Sequence, residues 1–130
     1  MDVESLIKAA SLARINAYAP YSKFAVGAAI LASTGEVFTG CNVENVSFGL
    51  TVCAERSAVC QAVAASCRVF SMIAIVSDSD SPISPCGACR QVLAEFASDL
   101  MIISANTKGD RFTSSLSLLL PRSKIGILNF

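Results

Sequence analysis

Between Val3 and Ala17 the apolar positions Val3, Leu6, Ile7, Ala10, Ala13 and Ala17 follow a helical period, which predicts an amphipathic first helix ending before Pro20. Phe24 to Ala32 and Glu36 to Asn42 are apolar runs separated by Ser33-Thr34-Gly35. That pattern predicts a β-hairpin with Gly35 at the turn position that needs a positive φ. Residues 54–65 are rich in alanine with few breakers and predict a buried helix. Met72 to Ser77 is a β-branched, apolar run that predicts a central strand. Asp78 to Pro85 is dense in proline, serine and aspartate and predicts a loop. A helical pattern returns over residues 87–97 through Val92, Leu93 and Phe96, and Leu100 to Ser104 predicts one more strand. Strands alternating with helices make an α/β layered sheet the expected fold class.

Composition narrows the class. A length of 130 residues predicts one domain over 1–130, with no repeat, linker or low-complexity tail. Charged residues make up 15% of the chain and hydrophobic ones 53%, against a usual quarter and somewhat under half, so apolar surface is expected to remain for subunit contacts. The longest run without a charge, Phe24 to Gly35, is too short for a spanning helix, which excludes a membrane role of that kind. Met1-Asp2-Val3-Glu4 is acidic where a secretory signal would be basic, so a cytoplasmic protein is expected. Ten basic and ten acidic residues cancel, and no basic cluster marks a polynucleotide-binding surface, which favours a small substrate. Without an export signal, the six cysteines at 41, 53, 60, 67, 86 and 89 read as metal ligands or buried thiols and not as a disulfide framework.

The chemistry concentrates in Cys53-Ala54-Glu55-Arg56 and Pro85-Cys86-Gly87-Ala88-Cys89. Taken separately, each half is ambiguous: a Cys-x-x-Cys can be a redox pair, half of a structural zinc site or two core thiols. Together they supply three soft ligands and one carboxylate. Catalytic zinc takes three protein ligands and leaves a fourth position to water, so Cys53, Cys86 and Cys89 form an open-site donor set with Glu55 as the acid/base beside it. Bound zinc lowers the pKa of its water from about 15.7 to about 7. Cys53 precedes the second predicted helix and Cys86 with Cys89 opens the third, where free N–H groups and helix dipoles favour thiolates. Three thiolates on one divalent ion leave a net negative unit. Arg56 is the first candidate to hydrogen bond to the thiolates and compensate that charge, and Arg90 the second.

The order Cys-x-Glu followed by Pro-Cys-x-x-Cys resembles the signature of zinc deaminases that act on nucleobases. With Tyr18-Ala19-Pro20-Tyr21-Ser22-Lys23-Phe24 and Gly40-Cys41-Asn42-Val43-Glu44-Asn45, the chain resembles the small, all-cysteine, zinc-dependent cytidine deaminases up to about Thr107. The resemblance implies a three-layer α/β/α sandwich with a mixed central sheet, one zinc ion per chain and a homotetramer with active sites near subunit boundaries. It also implies hydrolysis of cytidine and deoxycytidine to uridine and deoxyuridine through zinc-bound hydroxide and a Glu55 proton shuttle, a pyrimidine salvage reaction. By the same resemblance Phe24 packs on the pyrimidine, Asn42 and Glu44 hold the ribose 3′-hydroxyl, and the Ala54 backbone meets the base edge with carbonyls around Ser84 and Pro85.

Two positions depart from that pattern. Phe48 stands where relatives usually carry Tyr, so the cross-subunit sugar contact loses its hydroxyl. Leu119-Leu120-Pro121 is followed by Arg122-Ser123-Lys124, leaving the terminal Phe130 as the candidate aromatic that reaches a neighbouring site. These departures keep open a rival substrate, another small aminopyrimidine such as a nucleoside antibiotic or a modified cytidine. A non-enzymatic thiol module is the other alternative, and it requires Cys41, Cys60 or Cys67 as a fourth ligand. All three otherwise read as structural cysteines.

Overall fold

In a computed structural model of the chain, residues 1–125 are described. Helix α1 spans Val3–Arg14, opened by Asp2, whose Oδ1 accepts from the Ser5 N–H at 2.8 Å. It ends three residues earlier than its periodicity predicts. The N–H groups of Ile15, Asn16 and Ala17 bond back only three residues, tightening the last turn, and Tyr18 then pairs with Asn42 and Glu44 through its backbone. Strands β1 (Val26–Ala32) and β2 (Val37–Cys41) form the expected hairpin, with Gly35 at φ +92° in the turn. After β2 come a single 3₁₀ turn at Phe48–Leu50 and helix α2 (Ala54–Ala64). Strand β3 (Phe70–Ser77), helix α3 (Gly87–Phe96) and strand β4 (Met101–Asn106) follow the sequence expectation closely. Strand β5 (Arg111–Ser115) and the short helix α4 (Leu116–Leu119) were not expected from the pattern.

The five strands make one mixed sheet in the order β2-β1-β3-β4-β5. β1 runs antiparallel to both β2 and β3, β3 and β4 are parallel, and β5 closes the edge antiparallel to β4. Strand alternation sorts the core into two layers. Ala29, Ala74, Val76 and Ala105 pack with Leu6 and Ala10 of α1 on one face. Ala28, Ile30, Ile73, Ile75 and Ile102 pack on the other with Ala54, Ala58 and Ala62 of α2 and Leu93 of α3. The result is the α/β/α sandwich with a mixed sheet. Ile30, Ile73, Ile75, Leu93 and Ile102 are wholly buried, each worth about 1.5–3 kcal/mol of transfer free energy, and this anchors the helices that carry the site.

Candidate active site

Because β1 opposes β2 and β3, the carboxyl ends of β2 and β3 lie at the same edge of the sheet as the start of β1. Asn42 and Glu44 leave β2 there. Val43 then bridges Val52 antiparallel and Tyr18 in parallel, which fixes the segment leading into α2. Cys53 is the residue that caps α2 and Cys86 the one that caps α3, while Cys89 lies in the first turn of α3. Two helix N-termini therefore point their partial positive charge at one spot. Neither capping sulfur accepts a hydrogen bond from the backbone N–H groups of its helix, so the thiols are free to face one another.

The Sγ atoms of Cys53, Cys86 and Cys89 all lie within 4.8 Å of one another. Thiolates at a tetrahedral zinc, with bonds of about 2.3 Å, stand about 3.8 Å apart, so small rotations of these side chains suit the ion. The set is soft, the chain has no histidine, and no other donor joins this group among the described residues. Cys67 is buried at the far side of the hairpin turn, its Sγ donating to Glu36 Oε1 at 3.5 Å, and Cys60 is exposed on α2. The donor set fits zinc in an open site, and the closed four-cysteine arrangement has no fourth thiol in the cluster.

Arg56 Nη2 donates to Cys53 Sγ at 3.4 Å and to the Thr51 carbonyl at 3.4 Å. Hydrogen bonding from the Cys89 thiol and then from Arg56 lowers the Cys53 pKa to about 5, against the opposing effect of burial. The Cys89 thiol is pushed up, first because it is the donor to Cys53 and then by burial. The cluster without metal thus holds its first negative charge on Cys53. Carboxymethylation of the metal-free protein with iodoacetate is expected to label Cys53 with a midpoint near pH 5, and Arg56→Gln to move that midpoint upward. Peptide mass mapping across a pH series checks both, and a Cys53 midpoint near the ordinary 9.0 would refute the assignment.

Beside the thiols lies a cavity of about 210 Å³ lined by Phe24, Asn42, Cys53, Ala54, Glu55 and Cys86, with Val26, Thr51, Ile83 and Ser84 completing the wall. Glu55, in the first turn of α2, is only 4% exposed. Burial raises its pKa, and the charge on Cys53 raises it further, while its own backbone N–H and the Cys89 thiol act the other way. The site thus brings together a buried carboxyl of raised pKa, two of the three metal-capable thiols and an aromatic wall in one hollow, with the Cys89 sulfur within 4.8 Å of the other two. A second hollow of about 240 Å³, beside Asp99 and Lys124, contains none of these groups.

Other residues singled out by sequence fall in varied places. Ala54 is fully buried and Phe24 36% exposed at the cavity mouth. Asn42 and Glu44 are both buried, and their side chains are already engaged with the backbone around Phe24. The Glu44 carboxyl is held below the usual range, chiefly by the Ser22 hydroxyl. Phe48 projects from the 3₁₀ turn, exposed and within 6.4 Å of the Tyr21 ring, with Val46 and Leu50 exposed nearby. Phe130 lies outside the described residues.

Arg90 requires a correction. Its Nε donates to the Pro85 carbonyl at 2.8 Å and its Nη1 to the Leu119 carbonyl at 2.9 Å, so it ties α3 to α4 and makes no hydrogen bond to a thiol. Thr51 and Ile83 line the cavity unforeseen. Thr51 Oγ1 and Arg56 Nε are also buried polar atoms without a hydrogen-bond partner.

Residues 1–105 match the family model for the cytidine and deoxycytidylate deaminase zinc-binding region. The chain is 50% identical over 122 residues to a cytidine deaminase of Sporosarcina psychrophila, covering 93% of this chain and 90% of that protein. It is 48% identical over 122 residues to the cytidine deaminase of Halalkalibacterium halodurans, covering 93% and 92%. Its structure is similar to the crystal structure of cytidine deaminase from Burkholderia pseudomallei, with a TM-score of 0.90 at 50% identity over 93% of this chain and 98% of that one. The cytidine deaminase from Mycobacterium tuberculosis gives a TM-score of 0.81 at 43% identity, covering 93% and 95%. A zinc-binding family model, relatives of half-identical sequence and a thiol cluster fit for the metal agree, and the chain belongs to the cytidine deaminase family of zinc-dependent hydrolases.

Proposed function

We propose that the chain, as a single catalytic domain over residues 1–130, converts cytidine and 2′-deoxycytidine to uridine and 2′-deoxyuridine with release of ammonia, in pyrimidine salvage. The observation that carries this reading is Glu55, a buried carboxyl of raised pKa in the same cavity as two of the three clustered thiols and Phe24. Cys53, Cys86 and Cys89 hold one zinc ion, and Arg56 offsets the thiolate charge at Cys53. When bound, zinc supplies Lewis-acid chemistry that brings the pKa of a water within reach of neutral pH. Glu55 accepts that water's proton and delivers it to N3 of the ring as the nucleophile adds at C4. The carboxylate then takes the hydroxyl proton and hands it to the departing amine. Its raised pKa suits this work, because a proton carrier is most effective when its pKa lies near the operating pH. Phe24 packs on the pyrimidine, the Ala54 backbone meets the base edge, and Asn42 and Glu44 serve the sugar.

The exposed apolar residues Val46, Phe48 and Leu50, in the segment that leads to Thr51 and Cys53 of the cavity wall, support a homotetramer in which neighbouring chains complete each site, with Phe48 and Phe130 as the cross-subunit contacts. The balanced charge supports a free nucleoside as substrate in place of a polynucleotide. The proposed place of action is the cytoplasm; among the described residues no helix is long and apolar enough to cross a membrane.

The test is purified protein with cytidine, followed by ultraviolet absorbance, beside a zinc assay of the same sample. Turnover with about one zinc per chain is expected. Cys53→Ser, Cys86→Ser and Cys89→Ser should each lower zinc content, whereas Cys41→Ala, Cys60→Ala and Cys67→Ala should leave it unchanged. Zinc without turnover of cytidine or deoxycytidine would move the substrate to another aminopyrimidine.

A further inference from the structure

The peptide groups on either side of Phe24 are held by the two residues read as sugar ligands. On the carboxyl side, Asn42 Nδ2 donates to the Phe24 carbonyl at 2.8 Å while its Oδ1 accepts from the Val26 N–H at 2.9 Å. On the amino side the connection runs through one hydroxyl. The Phe24 N–H donates to Ser22 Oγ at 3.0 Å, and Ser22 Oγ donates to Glu44 Oε2 at 2.5 Å. Glu44 Oε1 also accepts from the N–H groups of Tyr21 and Ser22 at 3.0 and 3.2 Å. Between Ser22 and Phe24, Lys23 adopts φ +61°, a left-handed conformation that a side chain rarely takes unless its surroundings impose it. The Ser22 hydroxyl has one hydrogen and spends it on Glu44, and its lone pair receives Phe24. Ser22 itself is exposed and buries no core surface.

We propose that Ser22 is a positioning residue: anchored by the Glu44 carboxylate, its hydroxyl fixes the Phe24 backbone and so sets the Phe24 ring against the pyrimidine. The proposal rests on the reading of Phe24 as the pyrimidine contact. It gives Glu44 a second task, since the buried carboxylate acts on the base-binding wall through Ser22 as well as on the sugar. Ser22 contacts Phe24 and Glu44 but neither Glu55 nor a thiol among its hydrogen bonds, so its removal must weaken substrate binding and leave the proton chemistry at Glu55 intact.

The experiment is a double-mutant cycle on the zinc-loaded full-length protein, comparing Ser22→Ala, Phe24→Ala and the double variant in cytidine deamination. Ser22→Ala is expected to lower kcat/KM about tenfold, almost wholly through KM, the scale of one lost hydrogen bond. Phe24→Ala should lower it about thirtyfold, the scale of one lost base-aromatic contact. The double variant should lose clearly less than the product of the two single losses, because with the ring gone only the Ser22 bond to Glu44 remains to be lost. Ser22→Thr, which keeps the hydroxyl on an exposed site, should return kcat/KM to within about twofold of the parent. Multiplying losses in the double variant, or an effect of Ser22→Ala on kcat alone, would overturn the proposal while leaving the Phe24 reading in place. If Phe24→Ala itself leaves KM unchanged, the Phe24 reading fails and the proposal falls with it.

Discussion

Replacing Glu55 by alanine is expected to lower kcat for cytidine at least about ten-thousandfold while zinc content stays at the parent level. A single positioned acid or base contributes roughly a hundred- to ten-thousandfold, and this carboxyl serves both the addition of water and the departure of ammonia. The metal should remain because the three clustered Sγ donors do not include Glu55. Measuring kcat by absorbance and zinc on the same preparation separates the two effects, and retained turnover would remove Glu55 from the mechanism. Glu55→Gln adds a stability signature of opposite sign. Burial raises the Glu55 pKa above 4.5, so folding favours the protonated form. That favourable contribution is complete below 4.5 and is lost as the pH rises through the folded pKa. Glutamine mimics the protonated carboxyl at every pH. Thermal melts of the metal-free proteins should therefore show the glutamine variant at or above the parent at pH 7 and level with it at pH 4. Activity and stability part at this residue, as expected where a group is buried for its chemistry and not for the fold.

What the sequence made legible was local. Cys53 and Arg56 lie three positions apart across the first turn of α2, and Cys86 and Cys89 do the same on α3, so helical spacing alone puts each pair on one side. Adjacency misled where it was used instead. Arg90 follows Cys89 directly, but successive helical residues diverge by about 100°, which turns Arg90 towards Leu119 on α4. Strand β5 was missed because it is an edge strand of largely exposed, hydroxyl-rich residues whose only support is a long-range pairing with β4. The same holds inside the site. Thr51 and Ile83 come from separate loops and meet in the cavity wall with Phe24 only because β1 runs antiparallel to its two neighbours, which no local pattern records. Asn42 and Glu44 were legible as polar residues past a strand end, whereas their hold on the Phe24 backbone depends on that same meeting of loops.

Gly40→Ala is expected to destabilise the metal-free protein by about 3 kcal/mol, a fall of about 10 °C in Tm for a domain of this size. Gly40 pairs with Ala28 in the sheet, and α2 rests directly upon it. A Cβ there would lie 2.4 Å from the Ala58 nitrogen, 2.6 Å from the Ala54 carbonyl oxygen and 2.9 Å from Ser57 Cβ. Two of these three atoms are helix backbone, so no flexible side-chain end can yield and the helix itself must lift or tilt. The displaced turn carries Cys53 at its cap and Glu55 in its first turn, so zinc affinity and turnover should fall together with stability. Metal-free protein is the proper sample for the melt, since zinc binding only to the folded state would mask part of the loss. Gly87→Ala is the internal comparison: it opens α3 between two of the thiols, but an added Cβ meets nothing within 4 Å. It should melt at or above the parent temperature, because alanine is the better helix former. If both variants melted alike, α2 would not be seated on β2 at this distance, and the small face of Gly40 and Ala28 would not be what places Glu55 beside the thiols.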